Sequence, residues 1–140
     1  MCIIIKEIDV PEHHIGYKCL RPSIEDGKKY LCSPCFSQRH KIGEWSKAIP
    51  CDYADIKDRG FHIFLHLKDA KEYAIPDEVI CEVEYTNIIS VGVTEFYPVE
   101  SDINLRESDT IVSGEMKINK IICQKIEIER NVYGYHDFKW

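Results

Sequence analysis

Arg59-Gly-Phe-His-Ile-Phe-Leu-His-Leu-Lys-Asp-Ala-Lys-Glu-Tyr-Ala-Ile-Pro-Asp-Glu-Val-Ile-Cys-Glu-Val-Glu-Tyr85 carries a strand, a helix and a second strand in unbroken order. Phe61, Ile63 and Leu65 alternate with His62, Phe64 and His66, the period of two that puts successive side chains on opposite faces of a strand. Leu67, Ala70 and Ala74 then recur at helical spacing and give one apolar stripe, which predicts a helix over 66–74. Pro76 ends it, because proline lacks an N–H and disfavours helical geometry in the residue before it. Alternation resumes with Val79, Cys81, Val83 and Tyr85 on one face.

Other strands follow from the same reading. Ile3-Ile4-Ile5 is a short β-like run that Pro11 to Gly16 interrupts. Tyr17 to Leu20 reads as a strand ending before Arg21-Pro22. Glu25-Asp26-Gly27 marks a turn, and Lys29 to Cys32 pairs back as a hairpin. Residues 33–58 read as a structured loop with one or two short strands. Ile88-Ile89 and Val91 to Val93 form a further strand, Glu100 to Asp109 a polar loop, and Ile111-Val112 and Met116 to Ile118 short strands. Ile121 to Ile128 is the last strong strand. Six to eight strands against one helix predict an α+β fold: a mostly antiparallel curved sheet, or a small barrel, with the helix on one side. A parallel unit over 61–85 is the less favoured arrangement, since its crossover is short. With no repeat or long linker, residues 1–130 read as a single α+β domain and 131–140 as an aromatic tail.

The chain has 140 residues, 44% hydrophobic and 30% charged, which fits one folded domain with one core. No apolar run approaches the roughly 20 residues that span a bilayer. The opening Met-Cys-Ile-Ile-Ile meets Lys6 and Glu7 at once, so the expectation is a cytoplasmic protein with no membrane partner. Seven cysteines without a signal peptide imply reduced thiols. Net charge is −6, from 24 acidic and 18 basic residues, which argues against sequence-specific nucleic-acid binding driven by a basic surface. Basic residues gather at Lys28-Lys29 and Arg39-His40-Lys41, but Glu25, Asp26 and Glu44 dilute them, so they read as a solvated face.

Chemical motifs are sparse. Cys32-Ser-Pro-Cys35 has the spacing for two thiolates on one Zn²⁺, with His40 and Cys51 as the nearest further ligands. A redox role for it needs a helix N-terminus, and none is evident in the residues that follow. Cys2 would become a terminal nucleophile only if Met1 were removed. His62 and His66 lie four apart but straddle the strand-to-helix junction, so His62 reads as a cleft-lining residue. Phosphate loops and nucleophile elbows are absent. Glu82, Glu84, Glu127 and Glu129 alternate as on the wet face of a sheet. These residues assemble no catalytic set, metal site or cofactor site. Tyr133, Tyr135, Phe138 and Trp140 place four aromatics in the last eight residues. They supply either a partner-binding surface or the closing layer of the core.

Two resemblances bear on function. The order Met1-Cys2, Tyr17-Lys18, Ser33-Pro34, Ile42-Gly43, Gly60-Phe61-His62, Leu67-x-x-Ala70 and the strand 79–85 resembles a group of short phage and prophage proteins. That resemblance implies a mobile-element origin and no defined activity, although small phage proteins of this kind often act by binding and inhibiting a host factor, including immune nucleases. The early Tyr-Lys strand, Gly-Phe-His and Tyr73 are similar to the ADP-ribosyltransferase fold, which implies Tyr17 or Lys18, Phe61 or His62, Tyr73 and Glu127 around NAD. Tyr17, His62 and Tyr73 are thus the pocket candidates. The leading expectation is a small acidic interaction protein that binds a host protein or nucleoprotein complex, as anti-defence proteins do. A nucleotide-handling transferase and a zinc-stabilised binding domain are the alternatives.

Overall fold

The computed structural model of the protein describes residues 2–33, 38–49, 52–98 and 104–140. Its described residues form one sheet of nine strands and one α-helix. In chain order the strands are β1 (Ile4–Ile5), β2 (Ile15–Glu25), β3 (Lys28–Cys32), β4 (Arg39–His40), β5 (Trp45–Lys47), β6 (Phe61–Phe64), β7 (Val79–Phe96), β8 (Arg106–Glu129) and β9 (Val132–His136). Helix α1 spans Leu67–Tyr73, and a 3₁₀ turn covers Ile56–Asp58. The helix expected over 66–74 is present, with His66 and Ala74 as its caps. Every strand pairing is antiparallel, so the parallel arrangement considered for 61–85 is not formed.

The long hairpin of β7 and β8 is the spine. Its register runs from Val79 opposite Gln124 to Phe96 opposite Arg106, with irregularities at Ile80/Cys81, Glu82/Val83 and Ile88/Ser90. Each irregularity bends the ladder, so the spine curls. β2 lies against the first part of β7, β6 against the first part of β8, and the curl brings β2 and β6 together. They meet only at Tyr17 opposite Phe64. One bridge is not a ladder, so the sheet is curved and the barrel alternative is not realised. Asp26 and Gly27, both with positive φ, form the two-residue turn that joins β2 to β3, where a left-handed backbone matches the twist of the strands.

The sequence divides where the structure does not. β2 continues through Arg21-Pro22, because those residues pair only with β3 and the proline's missing donor costs no ladder bond. The polar loop expected over 100–109 already belongs to β8 from Arg106 onward. The fragments seen around Ile111, Met116 and Ile121 are one strand of 24 residues. Val132–His136, within the expected tail, pairs with β8.

Two clusters fill the core. Val79, Cys81, Val83 and Tyr85 pack with Phe61, Ile63, Leu65, Ile111 and Met116 on one face of the sheet. Ile80, Cys19, Phe64, Phe96 and Cys123 pack with Ala70 and Ala74 of α1 on the other. Consecutive residues therefore serve opposite clusters, and each large apolar side chain withdrawn from water contributes about 1.5–3 kcal/mol. The helix is tied down as well as packed. Asp69 accepts from Arg106 at 2.8 Å and from Ser108 at 2.7 Å, and Arg106 also pairs with Glu72 at 2.7 Å. No helix of the described residues is long and apolar enough to cross a membrane.

Candidate functional site

Where β2, β6, α1 and the loop before β6 converge, they enclose a cavity of about 400 Å³. Phe61, His62 and Phe64 of β6, Lys18 and Cys19 of β2 and Tyr73 of α1 line it, together with Ile49, Tyr53, Ala54, Asp58 and Arg59 of the loop. The volume lies within the range of small-ligand sites, and the lining combines aromatic rings with a few polar groups. The outer rim is apolar and open to water. Tyr53 is fully exposed, Ile49 is 57% exposed, and Ile56 on the same loop is 74% exposed.

The wall is held by tertiary hydrogen bonds. Asp58 accepts from the Ile3 amide at 2.7 Å, and Lys57 Nζ donates to the Ile3 carbonyl at 2.9 Å, so the loop is fastened to the N-terminal segment. Lys18 Nζ donates to the His62 carbonyl at 2.9 Å and lies 6.0 Å from the centre of the Phe61 ring. The His62 ring meets the Asp58 carbonyl through Nε2 at 3.1 Å. A carbonyl only accepts, so the ring proton sits on Nε2. Burial pushes the His62 pKa below its ordinary 6.5, although the Asp58 bond works against that shift. The ring is therefore neutral near pH 7, and its buried Nδ1 is an acceptor without a partner among the described residues. Such an atom costs about 1–3 kcal/mol until a donor reaches it.

His40, the nitrogen ligand considered for zinc, is committed elsewhere. Its ring lies 2.8 Å from Ser33 Oγ and 2.9 Å from Ser46 Oγ, with an edge-on contact to Phe61. Burial, and then the Lys18 charge, lowers its pKa to about 4. Cys35 and Cys51 lie outside the described residues. Among the described residues no group of three or more His, Cys, Asp or Glu is placed to hold a metal. Cys19 borders the cavity, but its thiol donates to the Ala70 carbonyl at 3.1 Å, and burial drives its pKa far above the usual value. It is no nucleophile at neutral pH. Cys81 and Cys123 are buried in the core.

Of the three pocket candidates, His62 and Tyr73 line the cavity. Tyr17 is half-buried beside the second core cluster and is not among the lining residues. Glu127, the acid implied by the transferase resemblance, stands opposite Tyr133 on an exposed stretch of β8, also outside the cavity. His66 faces water and pairs with Asp109 at 2.9 Å, away from His62's partners.

The four aromatics of the C-terminal segment have contacts with their own chain. Tyr133 and Tyr135 flank the fully buried Lys125, whose Nζ lies 5.4 Å and 5.7 Å from their ring centres. Lys125 Nζ and the Tyr135 hydroxyl both donate to the Lys71 carbonyl at the end of α1, at 2.9 Å and 2.8 Å. Phe138 packs against the first core cluster, and Trp140 stands edge-on to Phe138 at 5.1 Å while remaining 40% exposed.

The sequence marks residues 33–58 as a structured loop lining a face of the sheet, but does not single out the rim residues within it. Ile49, Tyr53 and Ile56 fall at i, i+4 and i+7, the spacing of a helix face, but Pro50 interrupts it and the described residues there form only the 3₁₀ turn Ile56–Asp58. The available signal was that spacing: three large apolar residues recurring in an otherwise polar stretch. No protein-family model, curated protein or solved structure matches the chain.

Proposed function

We propose that this small α+β protein is a non-enzymatic binding protein that docks on a host protein or nucleoprotein complex and inhibits or modulates it. The observation that carries the reading is the cavity of about 400 Å³ beneath an exposed apolar rim. Interfaces draw most of their binding energy from a few large side chains seated in desolvated pockets. Here the partner supplies an apolar anchor to the cavity floor of Phe61, Phe64 and Tyr73, Tyr53 covers it at the rim, and exposed Ile56 on the same loop extends the contact. The host and anti-defence parts of the reading rest on the resemblance to phage proteins, and the net charge of −6 favours a partner with a basic surface.

A lysate pull-down comparing the wild-type chain with a Tyr53→Ala/Ile56→Ala variant tests this. Both side chains are exposed, so the fold is expected to be unaffected. The proposal expects a discrete captured species that falls at least tenfold in the variant. Equal capture by both proteins would contradict it.

A further inference from the structure

The β2–β3–β4 corner gathers cations that are scattered in the sequence. Opposite residues in an antiparallel pair share a face. Arg21, Cys32 and Arg39 therefore lie in one row, Ser23 and Tyr30 in the next, and Glu25 and Lys28 in the third. Tyr30 is the centre of this face. The Arg39 guanidinium carbon lies 5.8 Å from its ring centre and Lys41 Nζ lies 5.7 Å away. Arg39 is fixed over the ring by Glu25, at 2.8 Å. A hollow of about 400 Å³ opens on the same face, between Arg21, Ser23, Cys32 and Arg39.

Four cations thus surround one tyrosine: Arg21, Lys28, Arg39 and Lys41. Among the described residues Glu25 is paired with Arg39, Glu78 acts on Arg21 from a buried site, Asp26 lies in the turn beside Lys28, and the Glu44 amide donates to the Lys41 carbonyl. Burial raises the Glu78 pKa, while the Arg21 charge acts in the opposite direction. The chain carries a net charge of −6 with these four cations included, so the other residues sum to −10. A polyanion is therefore favoured at this corner over the net-acidic remainder of the chain.

We propose that this face binds single-stranded nucleic acid without sequence preference, its cations contacting successive phosphates and the Tyr30–Arg39 stack receiving a base. An acidic peptide could match the charge but would leave the stacking surface unused. A duplex keeps its bases stacked on one another and could not offer one. Rings and guanidinium planes set among cations are what single strands use. This lies on a different surface from the cavity rim and does not depend on the docking reading.

The test is fluorescence anisotropy with labelled mixed-sequence 12-mers of single-stranded DNA and RNA, between 50 and 200 mM salt. With three or four phosphates contacted, log K is expected to fall against log salt with a slope of about −2 to −3. Lys28→Ala/Lys41→Ala should flatten the slope by about 1.4, and Tyr30→Leu should weaken binding about fivefold or more at unchanged slope. Absence of binding at 50 mM salt would overturn the proposal. So would undiminished binding by Lys28→Glu/Lys41→Glu, or a labelled poly-glutamate held as tightly as the oligonucleotides. The urea midpoint of each variant shows that it is folded. Tyr53→Ala/Ile56→Ala should bind the oligonucleotides like wild type, so failure of either proposal is seen separately.

Discussion

His40 sits between two serine hydroxyls and the edge of Phe61, and that setting determines how the protein responds to acid. Its folded pKa of about 4 lies below the ordinary 6.5, so the unfolded chain binds the proton more readily. The associated stability is complete above pH 6.5 and is lost as the pH falls towards 4. His62 shifts in the same direction, whereas buried Glu78 shifts upward and opposes them over part of that range. Urea midpoints measured from pH 7.5 to 4.5 should therefore fall for the wild type, and fall less steeply for His40→Gln. Parallel curves for the two proteins would show that His40 is not the group responsible. Asp58 gives a second prediction. Asp58→Ala deprives the Ile3 amide of its acceptor and should cost about 1–3 kcal/mol, read from the same denaturation curves.

Helix α1 depends on its polar ties as much as on Ala70 and Ala74. Asp69→Ala would leave Ser108 and one arm of Arg106 without their acceptor, and should lower stability by about 2–3 kcal/mol. Asp69→Asn, which keeps one acceptor, should lose less, and equal losses would contradict the proposed pairing. β1 has a different dependence. A side chain at Gly92 would collide with the Ile4 carbonyl, so Gly92→Ala should detach β1 and speed hydrogen exchange at the Lys6 amide, which bonds to the Val91 carbonyl. The helix and the strands flanking it were legible because the apolar residues of each keep that element's own period, two in the strands and helical in α1. The length of β7 and β8 was not. Positive φ at Asn87 and the register shifts at Ile80, Glu82 and Ile88 break the alternation, so two long strands read as several short ones. Pro22 misled for a related reason, since which edge of β2 stays unpaired depends on partners distant in sequence.

The whole chain is a curled antiparallel sheet that closes one side of its curve with a helix and a loop, and the cavity exists because all three meet there. Single residues of that cavity were legible. His62 was marked by its place between Phe61 and Ile63, and Tyr73 by its place on the helix. Their convergence was not legible, because it is produced by the curl of the spine rather than by any local pattern. The rim escaped notice because Pro50 interrupts the helical spacing of Ile49, Tyr53 and Ile56 and points to a loop. Charge behaves similarly: Lys28, Arg39 and Lys41 are diluted by acids along the chain but share one face once β3 pairs with β4. The central claim is that the partner docks over the cavity rim. A photo-crosslinking amino acid placed at Tyr53 and, in a separate protein, at Ile128, which is 61% exposed on β8, tests it directly in lysate. The account predicts a discrete crosslinked species from position 53 and none from position 128. A crosslink from 128 with none from 53 would contradict it.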